Sequence, residues 1–380
     1  MPLIYLIVGE ASGDVLGARL ISALRRQRPG LRFAGVGGPR MIDQGFTSLH
    51  PMADLAVMGL VEVLPRLRLI RRRLTETLAD IDAKQPDILV TIDSPGYTKH
   101  VLKQAARRGL KRVQYVAPQV WAWHEKRVRT FPGLWDRLLC LLPFEPAWFA
   151  ARGIDATFVG HPVLESGAAD GDGARFRERH GLAGERILIL MPGSRRSEIP
   201  RLLPVFEEVV ERLARSAPNL RPVLPVSATV AQAVRRATAG WKNHPTVVTD
   251  LDDKHDAYAA ASVALTKSGT STLELALAGV PMAVTYRVNP LSAAIARRAI
   301  TVPHVAMVNL LAGRAVVPEL LQERCRPDEL ERVVLELLAD GAAAAAQRDA
   351  FGPILDTLRP PEGLPSDAAA RQVLQLLDQA

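Results

Sequence analysis

Cysteine is almost absent: Cys140 and Cys325 are the only two in 380 residues, and no C-x-x-C pair occurs. Neither a disulfide framework nor a cysteine-based zinc site is indicated, and a reducing compartment fits. Long apolar runs are missing as well. No stretch approaches the ~18 residues that argue for a spanning helix, so any membrane contact is expected at the surface. The start, Leu3-Ile4-Tyr5-Leu6-Ile7-Val8, is apolar, but it lacks a basic leader and reaches Gly9-Glu10 too soon for a signal peptide. It reads as a buried strand. The first strand-to-helix junction lacks the G-x-G-x-x-G dinucleotide signature, and no repeat of 20–50 residues points to a solenoid or propeller.

What is present is a globular composition, 48% hydrophobic and 23% charged, in a chain long enough for two domains. The formal charge of +8 suits an anionic partner, yet no nucleic-acid recognition module accompanies it. Short apolar runs at Leu3–Val8, Leu31–Val36, Asp87–Ile92 and Val113–Val116 alternate with amphipathic stretches. The rhythm resumes at Ile187–Leu190, Arg221–Pro225, Thr246–Thr249, Val263–Leu265 and Pro281–Val284. That alternation predicts parallel β-α-β units, hence an α/β fold of two Rossmann-like halves. The Gly/Ala/Asp-rich stretch around 166–175 is the expected linker. It would separate an N-terminal domain, residues 1–165, from a C-terminal one, residues 176–350, with a tail helix in 351–380 that could dock on either half. Ligands of open parallel sheets collect at the carboxyl ends of the strands, so the site is expected in the cleft there.

Four strand exits concentrate chemistry. Gly9-Glu10-Ala11-Ser12-Gly13-Asp14 offers backbone N–H groups to a ligand oxygen and a carboxylate at Glu10, though a tight turn with a capping acid fits the same residues. Asp93, at the end of the third run, is placed as a base or as a turn cap. In the second half, Pro192-Gly193-Ser194-Arg195-Arg196 puts a hydroxyl beside guanidinium groups whose planar fork suits pyrophosphate. Lys267-Ser268-Gly269-Thr270-Ser271-Thr272-Leu273-Glu274 has the small hydroxyl residues of a phosphate-binding helix start. Glu274, one turn inside, is placed for ribose hydroxyls. Gln119-Val120-Trp121-Ala122-Trp123-His124 adds aromatic surface, and Asn309–Arg314 an amide in a turn or helix start. The D-x-D spacing at Asp250–Asp252 reads as a helix cap, and no metal is expected.

These motifs, in this order and over nearly the whole chain, resemble the lipid-A-disaccharide synthase family. The resemblance implies a GT-B fold, two Rossmann-like domains with parallel sheets facing a cleft. It also implies an inverting, metal-independent transfer that needs no cofactor. UDP-2,3-diacylglucosamine would donate its sugar to the 6-hydroxyl of 2,3-diacylglucosamine 1-phosphate, giving a β-1,6 disaccharide and UDP. Carried onto this chain, it assigns function to Glu10, Asp93, Arg195, Glu274 and Asn309, with Ser12, Ser194, Ser268, Gly269 and Thr270 alongside them at the substrate. Asp93 is the first choice of base and Glu10 the alternative. Gly96 departs from the pattern, since some relatives carry an acid there.

The family further suggests a homodimer with exchanged C-terminal segments, working in the cytoplasm on the inner face of the inner membrane. For that surface, Leu60, Leu64 and Leu67 recur at helical spacing beside Arg71, Arg72 and Arg73, and leucines in lipid with arginines at anionic headgroups would anchor the enzyme. A domain helix with its stripe toward the core fits the same pattern. A nucleotide-sugar epimerase and a noncatalytic UDP- or lipid-binding protein are the rival readings.

Overall fold

The computed structural model describes residues 1–55, 60–123, 125–289, 301–339 and 341–379, with side chains throughout except at 60–66 and 95. The chain forms two units, Met1–Pro162 with Leu358–Ala380, and Val163–Thr357.

In the first unit six strands, β1 (Leu3–Val8), β2 (Arg32–Val36), β3 (Ile88–Ile92), β4 (Lys111–Tyr115), β5 (Arg137–Cys140) and β6 (Ala156–Phe158), form one sheet in the order β2-β1-β3-β4-β5-β6. All its pairings are parallel. Every side chain of β1 is buried, as a strand covered on both faces requires. Its pleat sends Ile4, Leu6 and Val8 to one core and Tyr5 and Ile7 to the other. Helix α1 (Ala11–Gln27) covers the first face with Leu16, Leu20 and Leu24, four residues apart and therefore on one side of the helix. Helix α2 (Pro39–Asp43) follows β2. Helices α3 (Leu60–Lys84) and α4 (Pro95–Arg107) cover the second face, where Tyr97, Val101 and Leu102 are buried. A short helix, α5 (Glu145–Ala150), follows β5.

The second unit repeats the design. Strands β7 (Arg186–Met191), β8 (Leu220–Pro225), β9 (Thr246–Val248), β10 (Val263–Lys267), β11 (Met282–Tyr286) and β12 (Glu319–Leu321) pair in the order β12-β11-β10-β7-β8-β9. Its helices include α6 (Gly173–His180), α7 (Ile199–Ser216), α8 (Ala228–Thr238), α9 (Leu251–Ala260) and α10 (Ser271–Leu277). Leu202, Phe206, Val209 and Leu213 of α7 are buried at the three- and four-residue spacing of an amphipathic helix.

Two boundaries differ from the sequence expectation. The stretch 166–175 is packed structure of the second unit rather than a free linker. Asp172 N–H donates to Asp256 at 2.7 Å, and a Cβ on Gly171 would lie 2.0 Å from the His255 carbonyl, so only glycine fits that approach. The C-terminal tail is divided. The helix Ala342–Asp356 stays with the second unit, while from Leu358 the chain joins the first. There the helix Pro365–Asp378 buries Ala369, Val373 and Leu374 in the core that α1 faces. Asp367 meets Arg26 at 2.7 Å.

Candidate active site

Strands β1 and β3 are neighbours, with Val8 opposite Ile92, so the turns that follow them leave the sheet side by side. They touch at Gly9, where a Cβ would lie 2.3 Å from Ser94 Oγ. Glycine is required there by the neighbouring turn. The two candidate carboxylates, Glu10 and Asp93, thereby share one edge.

Asp93 and Ser94 both adopt left-handed backbone, φ +54° and +52°, a conformation that costs non-glycine residues about 1 kcal/mol or more each. Local hydrogen bonds hold it. Asp93 N–H donates to the Tyr115 carbonyl at 3.1 Å, Ser94 N–H to Asp93 Oδ1 at 2.8 Å, and Thr98 Oγ1 to the Asp93 carbonyl at 3.3 Å. Burial raises the proton affinity of Asp93 above the ordinary carboxylate range, and the Ser94 N–H opposes that only in part. A half-buried carboxylate held this way is suited to accept a proton. Glu10 is also half-buried, at the N-cap of α1, where its side chain makes no cap hydrogen bond. Ser12 is exposed in the first turn. Asp14 has turned inward, accepting from the N–H groups of Gly38 (2.9 Å), Arg40 (2.9 Å) and Met41 (3.1 Å). It fastens the start of α2 and is structural.

After β4 the tryptophan tract splits in role. Trp121 is buried and donates its Nε1–H to Glu145 at 2.9 Å, whereas Trp123 is 51% exposed. Glu145 also accepts from the N–H groups of Leu141 (3.0 Å) and Leu142 (2.9 Å). Burial pushes its carboxyl up to about 7 against the pull of those donors.

In the second unit β7 and β10 are adjacent, with Met191 opposite Thr266, and both candidate phosphate loops leave from that edge. Ser194 is exposed, and the Arg195 side chain is 54% exposed. Ser268 Oγ donates to the Val305 carbonyl. Gly269, at φ +144°, occupies backbone that a side chain would strain, and Thr270 opens α10. Glu274 is engaged by Lys254 Nζ at 2.8 Å and by the Tyr258 hydroxyl at 3.2 Å. Deep burial, then the nearby Glu274, keep Tyr258 protonated and a donor.

Asn309 departs from its expected role in substrate contact. It is fully buried, and its amide is saturated. Nδ2 donates to the Val317 carbonyl (2.9 Å) and Glu319 (2.8 Å), while Oδ1 accepts from Val316 (2.7 Å) and Val317 (2.8 Å). It braces the chain instead. Glu319 also accepts from Ala306 N–H at 3.0 Å, at the start of the helix Met307–Ala312, so this network steadies the segment on which Ser268 leans. Asp250 caps α9, accepting from Asp253 N–H at 3.0 Å. Asp253 itself pairs with Arg179 at 2.6 Å.

On α3, Leu67, Arg71 and Arg72 are exposed. Arg73 is turned inward instead, meeting Asp54 at 2.7 Å and Glu76 at 2.6 Å. Ile70, Leu74 and Leu78 pack against the core. The side chains of Leu60 and Leu64 lie outside the described residues. Sequence reasoning missed Glu198, Lys254, Tyr258, Glu145 and Glu319. A carboxylate three residues after Arg195 was a usable signal for the first. The others are brought in by strand order.

A family model described as lipid-A-disaccharide synthetase matches residues 4–372. The chain belongs to the lipid-A-disaccharide synthase family. It is 60% identical over 377 residues to the lipid-A-disaccharide synthase of Gluconobacter oxydans (strain 621H), covering 99% of this chain and 91% of that one. With the synthase of Granulibacter bethesdensis it shares 56% over 390 residues, covering 100% and 99%. Like its family, the chain is a glycosyltransferase of lipid A assembly. Solved structures give the fold. The S. aureus MnaA–UDP complex superposes with a TM-score of 0.68 at 13% identity, covering 98% of this chain and 95% of that one. The calicheamicin glycosyltransferase CalG4 gives 0.59 at 18%, covering 100% and 99%. The two parallel six-stranded sheets are those of a GT-B enzyme. Among the described residues no helix is long and apolar enough to cross a membrane.

Proposed function

We propose that the enzyme transfers 2,3-diacylglucosamine from UDP-2,3-diacylglucosamine to the 6-hydroxyl of 2,3-diacylglucosamine 1-phosphate. The acceptor oxygen attacks the anomeric carbon on the face opposite UDP. As the new C–O bond forms, the bond to the pyrophosphate breaks and UDP leaves with the electron pair. Asp93 takes the acceptor proton, with Glu10 beside it as the alternative base. Arg195 and the backbone around Ser268, Gly269 and Thr270 meet the charge growing on the pyrophosphate. Glu274 exchanges its lysine and tyrosine partners for the ribose hydroxyls. Ser12 borders the acceptor and Ser194 the donor. The observation that supports this reading is Asp93, a half-buried carboxylate on left-handed backbone directly after β3.

The acylated substrates call for a membrane surface, and exposed Leu67, Arg71 and Arg72 support contact of α3 with an anionic leaflet on the cytoplasmic side. Homodimerisation rests on the family resemblance and is checked by sedimentation.

The test is a product assay with both lipids on wild type and Asp93→Asn. Disaccharide and UDP are expected from wild type. The variant should lose at least about a hundredfold in turnover with unchanged UDP affinity. A free or epimerised sugar would establish the epimerase reading, and UDP binding without turnover in wild type the noncatalytic one. Survival of activity in Asp93→Asn with loss in folded Glu10→Gln would exchange the two carboxylates.

A further inference from the structure

Glu198 stands three residues beyond Arg195, at the N-cap of α7, with a side chain only 6% exposed. Its Oε2 accepts the Arg195 backbone N–H at 3.1 Å. Its Oε1 lies 2.9 Å from Lys267 Nζ and 4.0 Å from an Arg195 guanidinium nitrogen. Oε1 is buried without an aligned hydrogen bond, so its contact with Lys267 is that of an ion pair. Lys267 is the last residue of β10, and β10 is paired with β7. The carboxylate therefore bridges the exits of two adjacent strands, one leading to Ser194 and Arg195, the other to Ser268–Thr270.

The turn is built around this carboxylate. Gly193 sits at φ +111°, and a Cβ there would lie 2.2 Å from Glu198 Oε2. The Lys267 ammonium rests 5.4 Å from the centroid of the Tyr286 ring. A buried carboxylate is costly unless paired, and such a pair adds little net stability over apolar packing. Its placement between two cations is better explained by what it positions.

We propose that Glu198 is the positioning residue of the donor site: it fixes the Gly193–Arg195 turn and holds Lys267, beside Arg195, as a second cation for the pyrophosphate of a nucleoside diphosphate. The proposal rests on reading this sheet edge as the donor site. Two cations and one carboxylate leave a single positive charge at the edge, enough to attract a dianion. Without the carboxylate the cations repel each other and Lys267 loses its anchor.

The experiment is calorimetric titration with UDP, with steady-state kinetics in which each lipid is varied in turn, on wild type, Glu198→Gln, Glu198→Asp and Lys267→Met. Glutamine keeps the size and an acceptor for the Arg195 N–H but removes the charge. Expected is a rise of about tenfold in UDP Kd and donor KM for Glu198→Gln and Lys267→Met. The acceptor KM should stay within about twofold, and Glu198→Asp should recover part of the loss. Unchanged UDP affinity in folded Glu198→Gln, or equal loss toward both lipids, overturns the proposal. If Glu198→Gln does not fold, unchanged UDP affinity in Lys267→Met does the same. Wild type that fails to bind UDP sinks the donor-site reading itself, before any variant is compared.

Discussion

At the scale of single residues, chemistry and architecture divide between neighbours of the same motif. Asp14 and Asn309 belong to motifs that read as ligand-binding, yet both spend their hydrogen bonds inside the protein. Arg195 does the opposite: its backbone is held by Glu198 while its guanidinium stands about half exposed. A charge-assisted contact of that kind contributes roughly 1.5–3 kcal/mol, or roughly ten- to a hundredfold. Arg195→Ala is therefore expected to lower kcat/KM for the donor by that factor and to weaken UDP binding. Arg195→Lys should recover only part, because the ammonium keeps the charge but loses the fork. Steady-state kinetics with calorimetric UDP titration checks both, and wild-type values in Arg195→Ala would remove the residue from the site. The sequence marks Arg195 as a candidate because a planar, permanently charged fork after a strand suits pyrophosphate. It could not separate Asp14 from Glu10, because which acid turns inward depends on where α2 packs.

At the scale of elements, the loop after β4 and the turn after β5 are joined through Glu145. Three donors would favour its ionised form, but burial outweighs them and its carboxyl titrates near 7 rather than near its ordinary 4.5. Between those values the folded protein binds more protons than the unfolded chain, so this group's contribution to stability is fully present below about 4.5 and is lost as pH rises through about 7. The span is at most on the order of 3 kcal/mol. Glu145→Gln is expected to flatten the fall in unfolding free energy between pH 5 and pH 8, measured by denaturant titration. An unchanged slope would show that Glu145 does not carry it.

Helix α3 poses a different question, since half of its apolar stripe, Ile70, Leu74 and Leu78, packs inward. Among its described side chains, exposed Leu67, Arg71 and Arg72 remain for lipid. Because Arg73 is tied to Asp54 and Glu76, the informative variant reverses Arg71 and Arg72 alone. At about 1 kcal/mol for each basic residue at an anionic surface, the double change to Glu should weaken vesicle co-sedimentation by at least about tenfold. Equal binding by two folded proteins would return α3 to a purely structural role. Periodicity announced this helix but not its division of faces, which packing settles: its own Ile81 is buried in the cluster that Tyr97 joins from α4.

At the scale of the whole molecule, the chain's end completes its beginning. Residues 358–380 supply Ala369, Val373 and Leu374 to the core under α1. Deleting them should remove or markedly lower the thermal transition of the first unit. UDP should still bind residues 163–357 and raise that unit's transition, since a ligand at a hundred times its Kd adds about 2.7 kcal/mol. Scanning calorimetry with and without UDP reads both, and an unchanged first-unit transition would contradict the packing argument.

The sequence by itself determined the alternation of strand and helix, because parallel strands buried on both faces must be written as continuous apolar runs such as Leu3–Val8 and Ile187–Leu190. It also placed the glycine, hydroxyl and charged residues at the strand exits, where backbone turns leave little choice of residue. Strands β5, β6 and β12, of three or four residues, are not announced by an apolar run, although the equally short β9 is, at Thr246–Thr249; segments of that length carry too little pattern to be read consistently. The tertiary structure alone decided which exits stand side by side, β1 with β3 and β7 with β10. Strand order arises from crossover connections between segments far apart in the chain, and no local pattern encodes it. For that reason Glu198 meets Lys267 only once the sheet is assembled, whereas Asn309 finds its partners Val316, Val317 and Glu319 within ten residues of the chain.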